Sequence, residues 1–539
     1  MNTYYFDSSN TAIGDGSMAN PFRALKSIET LTMPFHVRLK RGSEFRDNIT
    51  IPTMAGVTEL CTWRDYGTGK PPVLIPKDYT KKLVDSVLLK NFHILGEMDI
   101  YLDGFTYSPD RIMHLKIDAE NGNNTANVHM KGNFNIVINS MLNIECISVY
   151  FDAQGGSTIT HRNDDMLIRG VHQRGGDRLA LMWCGSTYFK PAGGGPDYKG
   201  ENCRIEDCTA IGLTGDAVAL SNARGMASTP GDANYAKSSK ISNCYSTQGS
   251  SMKLDGIATG IDKARYHVPF WLYGCDNVPI EYCWADGSAF AKDCMGFDID
   301  GRCSNCIVRR CLSTNNNGGF MMFTCTESPS LEATMTNLAD WENALINEAR
   351  GNVNNTCEYV LSYNDGVGRG RYAGRYTTLQ FINNVLNAKI RNCTVIDNIS
   401  RYQSHFYLVT PTAKGMSSGL MAKYPSTVDS CIFYHRYKHM VAGDAGFANN
   451  NGDTLVKWTK NIFWCPDDSG ASMVPTKGVM SGNLTVDPMI GNLTMTSPAG
   501  FDAAKLTRLL ANSPALGAGT ASVTPDVWGK SGNNIGWQQ

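Results

Sequence analysis

The stretch Met295-Gly-Phe-Asp-Ile-Asp-Gly301 decides how the rest of the chain is read. Phe297 and Ile299 alternate with Asp298 and Asp300, the period of two that marks a half-buried strand. With both apolar side chains turned into a core, both carboxylates leave the same outer face, about 6–7 Å apart at their Cα atoms. Two acids held at that separation on a rigid strand suit acid–base chemistry at a glycosidic bond.

Runs of the same shape recur along the chain: Arg178-Leu-Ala-Leu-Met-Trp-Cys-Gly185, Asp216-Ala-Val-Ala-Leu-Ser221, Val268-Pro-Phe-Trp-Leu-Tyr-Gly274, Gly319-Phe-Met-Met-Phe-Thr324 and His405-Phe-Tyr-Leu-Val409. They return at intervals of about 20 to 50 residues, as the rungs of a solenoid do when insertions leave on one side. A rung buries its inward face only by stacking on its neighbours, so the pattern predicts one continuous all-β body. The connecting pieces Val278-Pro-Ile-Glu-Tyr-Cys283, Cys306-Ile-Val-Arg-Arg-Cys311 and Ala388-Lys-Ile-Arg-Asn-Cys393 read as equivalent short strands ending in Cys. Asp286, Asn316 and Asp365 fall in the polar turns and read as turn residues, since Asn and Asp tolerate left-handed backbone and can bond a stacked counterpart. Helical spacing is confined to residues 23–31, 331–350 and 501–511.

Bulk composition excludes several classes. The 539 residues carry a net charge of −1, with 49 Lys and Arg against 50 Asp and Glu, and no basic run. That balance offers no electrostatic footprint for nucleic acid or an anionic membrane. No stretch reaches the roughly 18 apolar residues of a membrane helix. The start, Met1-Asn-Thr-Tyr-Tyr-Phe-Asp, has no charged region followed by an apolar one, so no export signal is expected. The 17 Cys lie mostly inside apolar strand-like runs, which reads as buried free thiols rather than a disulfide framework. Cys303 and Cys306 form a C-x-x-C, but they too read as strand interior, and no metal site is expected there.

Stacking the runs by their inward residues puts the outward ones in two columns. The first is Met182, Ala219, Trp271, Asp298, Met322; the second is Cys184, Ser221, Tyr273, Asp300, Thr324. Neighbouring strands lie about 4.8 Å apart. Trp271 and Tyr273 therefore form an aromatic shelf one rung from Asp298 and Asp300, and sugars lay their C–H faces on such rings. Arg265 and His267 precede the aromatic strand, and Arg302 follows the acid strand. An Arg fork suits a sugar carboxylate, and a His can carry a proton near neutral pH. Asp216, at the leading edge of an earlier rung, and Glu327, in the loop after the next one, can supply an acid if the carboxyls act across rungs. The alternatives for the acid pair are a cation or saccharide site without catalysis, because clustered carboxylates also suit hard cations, and solvated outer residues with a structural role alone.

A resemblance covers nearly the whole chain. Tyr4-Tyr-Phe-Asp, Gly14-Asp-Gly-Ser, Asn20-Pro-Phe22 and Val37-Arg-Leu-Lys-Arg-Gly-Ser-Glu-Phe45 resemble the N-terminal cap of right-handed parallel β-helix proteins that act on polysaccharides (the pectate-lyase-like superfamily). Asp487-Pro-Met489, Asn512-Ser-Pro-Ala-Leu-Gly-Ala-Gly519, Asp526-Val-Trp-Gly529 and Asn534-Ile-Gly-Trp537 match the close of such proteins. The resemblance implies an N-terminal cap and first strands over 1–86, with a short cap helix. A parallel β-helix body with groove-side insertions, some helical, would cover 87–486, and a C-terminal capping segment 487–539. It looks most like the enzymatic body of a bacteriophage tailspike depolymerase. That implies a bacterial capsule or O-antigen as substrate, a homotrimer, and a place on the virion after synthesis in the host cytoplasm. A secreted bacterial polysaccharide lyase, in which Ca²⁺ is possible, is the alternative, and a non-catalytic adhesin the third. For the hydrolase no cofactor is expected.

Overall fold

The computed structural model describes residues 2–32, 34–47, 49–50, 61–70, 72–75, the strands between 84 and 174, 179–184, 199–212, 217–225, 238–247, 268–288, 294–316, 318–325, 337–348, 350–366, 378–382, 385–396, 406–409, 416–435, 446–448, 456–475, 478–491, 509–522, 525–526 and 530–538. They fall into two compact units, Met1–Tyr188 with Tyr198–Val218, and Phe189–Asp197 with Ala219–Gln539. Parallel strands build both, and the fold is the parallel β-helix that the rung pattern predicts.

In the first unit one sheet runs through Asn2–Phe6, Phe35–Lys40, Cys61–Tyr66, Leu88–Leu95, Ile112–Asp118, Phe134–Asn139, Leu167–Arg169 and Arg204–Glu206, in that order. Glu44–Arg46, Val73–Ile75, Asp99–Leu102 and Val128–Met130 make a second sheet. The helix expected over 23–31 is a 3-10 turn, Leu25–Thr30. Its two buried residues, Leu25 and Ile28, stand three apart, which is the repeat of that tighter helix.

In the second unit each rung has three short strands, and each strand stacks in parallel on its counterpart in the next rung. The acid sheet holds Phe270–Tyr273, Phe297–Ile299, Met321–Thr324, Leu379–Ile382, Phe406–Val409 and Gly446–Ala448. A ladder sheet runs from Lys240–Ser242 through Pro279–Glu281, Ile307–Arg309, Thr356–Glu358, Lys389–Arg391, Ser426–Asp429 and Val456–Thr459 to Val479–Ser481. A flank sheet holds Tyr245–Thr247, Trp284–Asp286, Leu312–Thr314, Leu361–Tyr363, Thr394–Ile396, Ile432–Tyr434 and Ile462–Trp464. Between them lies a dry interior: Ile280, Val308, Cys357, Ile390, Val428 and Trp458 are fully buried, and Phe270 stacks on Phe297 at 5.6 Å.

The runs that read as single strands ending in Cys are bent. In Val278–Cys283 the strand stops at Glu281, and Tyr282 turns left-handed (φ 53°). Arg310, Tyr359, Asn392, Ser430 and Lys460 do the same in the later rungs. Bulky residues have no preference for this conformation. The bend is imposed by stacking of the sheets on either side, which no single rung contains. Where acid and ladder sheets meet, the left-handed residues include Asn277, Asn305, Asn354 and Asn387, the type such a corner favours. Every described cysteine side chain is free and buried, as its apolar setting predicts.

Two helices stand outside the rungs. Leu338–Glu342 continues as a π-helix, Asn343–Asn347, burying Trp341, Ala344 and Leu345. Met416–Lys423 packs beside it, and Lys423 pairs with Glu342 at 2.7 Å. Residues 331–336 and 501–508, where more helix was expected, lie outside the described residues, and Leu509 pairs antiparallel with Ile490. The final segment packs along the flank sheet: Trp537 joins Leu312, Leu361 and Ile396, and Ile535 with Ala515 joins Ile432 and Ile462. Among the described residues no helix is long and apolar enough to cross a membrane.

Candidate active site

The acid strand is approached through Met295 and Gly296. A side chain at Gly296 would meet Ser313 Oγ at 2.3 Å, so only glycine lets the chain pass. What it passes is a polar network inside the rung corner. Asp365 is fully buried there, its carboxylate accepting from the Asn316 amide (2.8 Å), Asn316 Nδ2 (3.1 Å) and Ser362 Oγ (2.6 Å). Asn316 Oδ1 in turn accepts the Ser288 amide at 2.9 Å. Burial pushes the Asp365 carboxyl up to about 7, against the pull of these hydrogen bonds. Asn316 and Asp365 are thus stacked turn residues, as the sequence indicates. Asp286 stands apart from them: it pairs with Thr314 in the flank sheet and accepts from Thr314 Oγ1 and Asn315 Nδ2.

Beyond Gly296 the register sets the site. Phe270 faces Phe297, Trp271 faces Asp298 and Leu272 faces Ile299 across one strand spacing. On the other side Asp298 faces Met322 and Ile299 faces Phe323. Phe297 and Ile299 point into the core. Asp298 is 5% exposed, whereas Asp300, Trp271 and Tyr273 are half-buried. The Asp300 carboxylate accepts the Gly301 amide at 2.6 Å, and its own amide donates to the Leu272 carbonyl at 2.9 Å. The two carboxyls therefore differ: one is withdrawn from water and the other is within its reach. A pair so divided can act as proton donor and as base or nucleophile. Among the described residues, the indole Nε1 of Trp271 and the hydroxyl of Thr324 are buried with no hydrogen-bond partner.

Arg302 lies at the corner after the acid strand, half-buried and left-handed (φ 58°). Arg265, His267, Asp216 and Glu327 lie outside the described residues. Among the described residues no cluster of three or more His, Cys, Asp or Glu side chains is arranged to hold a metal. One site feature gave no signal in the sequence: Asn352, which follows the helical excursion and belongs to no strand-like run, hydrogen-bonds beneath the acid strand. Its Nδ2 lies 2.5 Å from the Ile299 carbonyl.

No protein-family profile matches this chain, and no curated protein matches it in sequence. Several solved structures are similar in part. The GH136 lacto-N-biosidase from Eubacterium ramulus is 16% identical over 76% of this chain and 65% of its own, with a TM-score of 0.41. This chain thus spans just under two thirds of that protein's length. XylC in complex with xylose is 7% identical over 91% of this chain and 87% of its own, TM-score 0.36. Pectate lyase Pel9A is 14% identical over 100% and 96%, TM-score 0.29. Likeness at these levels does not say which chemistry a site performs.

Proposed function

We propose that this chain hydrolyses glycosidic bonds within a bacterial surface polysaccharide, with Asp298 and Asp300 as the acid pair. One observation carries the reading: Trp271 faces Asp298 in register, which sets an aromatic ring one strand spacing from two carboxyls in unlike environments. A sugar lying on the Trp271 and Tyr273 rings presents its linkage to those carboxyls. Arg302, with Arg265 and His267, would hold charged or hydroxyl groups of the chain, and Asp216 or Glu327 would assist if an acid acts across rungs. Retaining and inverting hydrolysis need carboxyls about 5–5.5 Å and about 6.5–9.5 Å apart, and same-face neighbours on a strand reach either by choice of rotamer.

The resemblance of the opening and closing segments extends the proposal to a tailspike-type depolymerase that assembles as a homotrimer on a phage virion. Light scattering on the purified chain tests the trimer. The rival chemistry is β-elimination, in which Arg265 or His267 removes a proton beside a uronate and Ca²⁺ can take part. A time course on capsular and O-antigen polysaccharides, following reducing ends and ultraviolet absorbance together, separates the two. Reducing ends without absorbance, lost in Asp298→Asn and Asp300→Asn, are the expected result. Absorbance rising with the reducing ends moves the chemistry to elimination. Binding without cleavage leaves an adhesin.

A further inference from the structure

The rung that follows the acid strand is interrupted between Cys325 and Asn352, where the chain makes its helical excursion. On its return Asn352 takes a place in an interior column. Asp276, Ser304 and Val353 stack as successive bridges, and Asn352 pairs with Val385, so the column reads Cys275, Cys303, Asn352, Val385. Asn352 alone is an amide there, and it is fully buried. Its Nδ2 reaches three carbonyls: Ile299 at 2.5 Å, Thr324 at 3.1 Å and Asp300 at 3.3 Å. Its Oδ1 accepts from Asn355 Nδ2 at 2.6 Å. Asn355 is itself pinned, donating to the Cys303 carbonyl (2.9 Å) and accepting from the Cys306 amide (2.7 Å). The Asn355 donor fixes which way the Asn352 amide faces, and its nitrogen can only point at the acid strand.

We infer that Asn352 is a positioning residue for Asp300, fixing through the strand backbone where that carboxyl stands against a bound saccharide. This rests on the hydrolytic reading of the acid pair. The carbonyls of Ile299 and Asp300 belong to the peptides on either side of the Asp300 Cα, so holding both fixes the direction of its side chain. The Thr324 carbonyl ties the same amide to the next rung, and Asp300 and Thr324 keep one spacing. A displacement of about 1 Å at a catalytic group costs on the order of 100-fold in rate. Cysteine or valine, the residues at this place in neighbouring rungs, would fill the space and provide no comparable donor.

The test compares Asn352→Cys, Asn352→Val and Asn352→Asp with the parent on the polysaccharide it cleaves, beside Asp298→Asn and Asp300→Asn. Circular dichroism and a thermal melt report the fold. Folded Cys and Val variants are expected to lose roughly 10- to 100-fold in kcat with KM little changed, and the kcat–pH profile should move. A role in stability alone would lower the melt and leave that profile in place. Asn352→Asp keeps the shape and offers a donor only when protonated, so its kcat should recover toward acid pH, relative to the parent. Parental kcat and pH profile in a folded variant overturn the inference. If the Cys and Val variants fail to fold, the Asp variant decides, and a parental profile there overturns it. Parental cleavage by Asp298→Asn and Asp300→Asn removes the acid-pair reading and this inference with it. Their inactivity beside parental Asn352 variants removes this inference only.

Discussion

The acid sheet and the ladder sheet both carry carboxylates in register, and they treat them in opposite ways. On the ladder sheet Glu281 faces Arg309, Arg309 faces Glu358, Glu358 faces Arg391, and Arg391 faces Asp429. Signs alternate along the column, with Arg309 to Glu281 at 2.9 Å and Arg391 Nε to Glu358 at 2.6 Å. Glu281, Arg309 and Glu358 are buried, each against opposite charge. Asp298 on the acid sheet stands between an indole and a thioether instead. Carboxylates neutralised strand by strand hold the rungs together. On the proposed reading, stability and chemistry fall to different faces of the same rung.

The largest effect expected from breaking this division is on activity. Asp298→Asn or Asp300→Asn should lower reducing-end release by roughly 10²- to 10⁴-fold, with the thermal midpoint kept. A loss of stability matching the loss of rate would put Asp298 in the structural class of Glu281. The converse change is Arg309→Met, which takes the guanidinium away from the buried Glu281 carboxylate while Glu358 keeps Arg391. It should cost about 3–5 kcal/mol in urea unfolding, and the molecules that remain folded should cleave at the parental rate.

Asp365 sharpens the contrast from inside the corner. Its folded value of about 7 lies above its ordinary 3.8, so folding disfavours the ionised form. The associated stability is complete below pH 3.8 and is lost as pH rises toward 7, by up to about 4 kcal/mol. Asp365→Asn can keep the same partners without charge, and should flatten that pH dependence in urea melts and be the more stable form at pH 8. The smallest effect is on the shelf: Trp271→Ala should weaken saccharide binding by about 0.5–1.5 kcal/mol, two- to tenfold, measured calorimetrically in the Asp298→Asn background.

Much of the site was legible because a strand alternates with period two. Once Phe297 and Ile299 are given to the core, Asp298 and Asp300 have one face to occupy, and aligning inward residues puts Trp271 beside Asp298 in the register observed. The same rule could not reveal that Asp298 is withdrawn from water while Asp300 is not, because burial comes from what covers the strand. Nor could it find the left-handed bends at Tyr282 and Arg310, where residue preference points the other way. Asp286 reads as a turn residue like Asn316, yet it is paired with Thr314 in the flank sheet and Ser288 is the residue that bonds Asn316, since the stacking phase follows the flank strand.

The sequence by itself determined the parallel β-helix, the inward residues Phe270, Leu272, Phe297, Ile299, Met321 and Phe323, and the pairing of an aromatic strand with an acid strand. These depend on patterns local to ten residues or fewer, and a solenoid repeats them. Ala219, Ser221, Met322 and Thr324, read as outward, are instead buried. Only the tertiary structure decided that Arg309 and Arg391 neutralise the carboxylates of adjacent rungs, that Trp537 returns to cover the flank sheet, and that Asn352 reaches the carbonyls under Asp300. Those contacts join residues 28 to more than 140 positions apart. Their partners are set by how many residues each insertion carries between rungs, and no local pattern records that count.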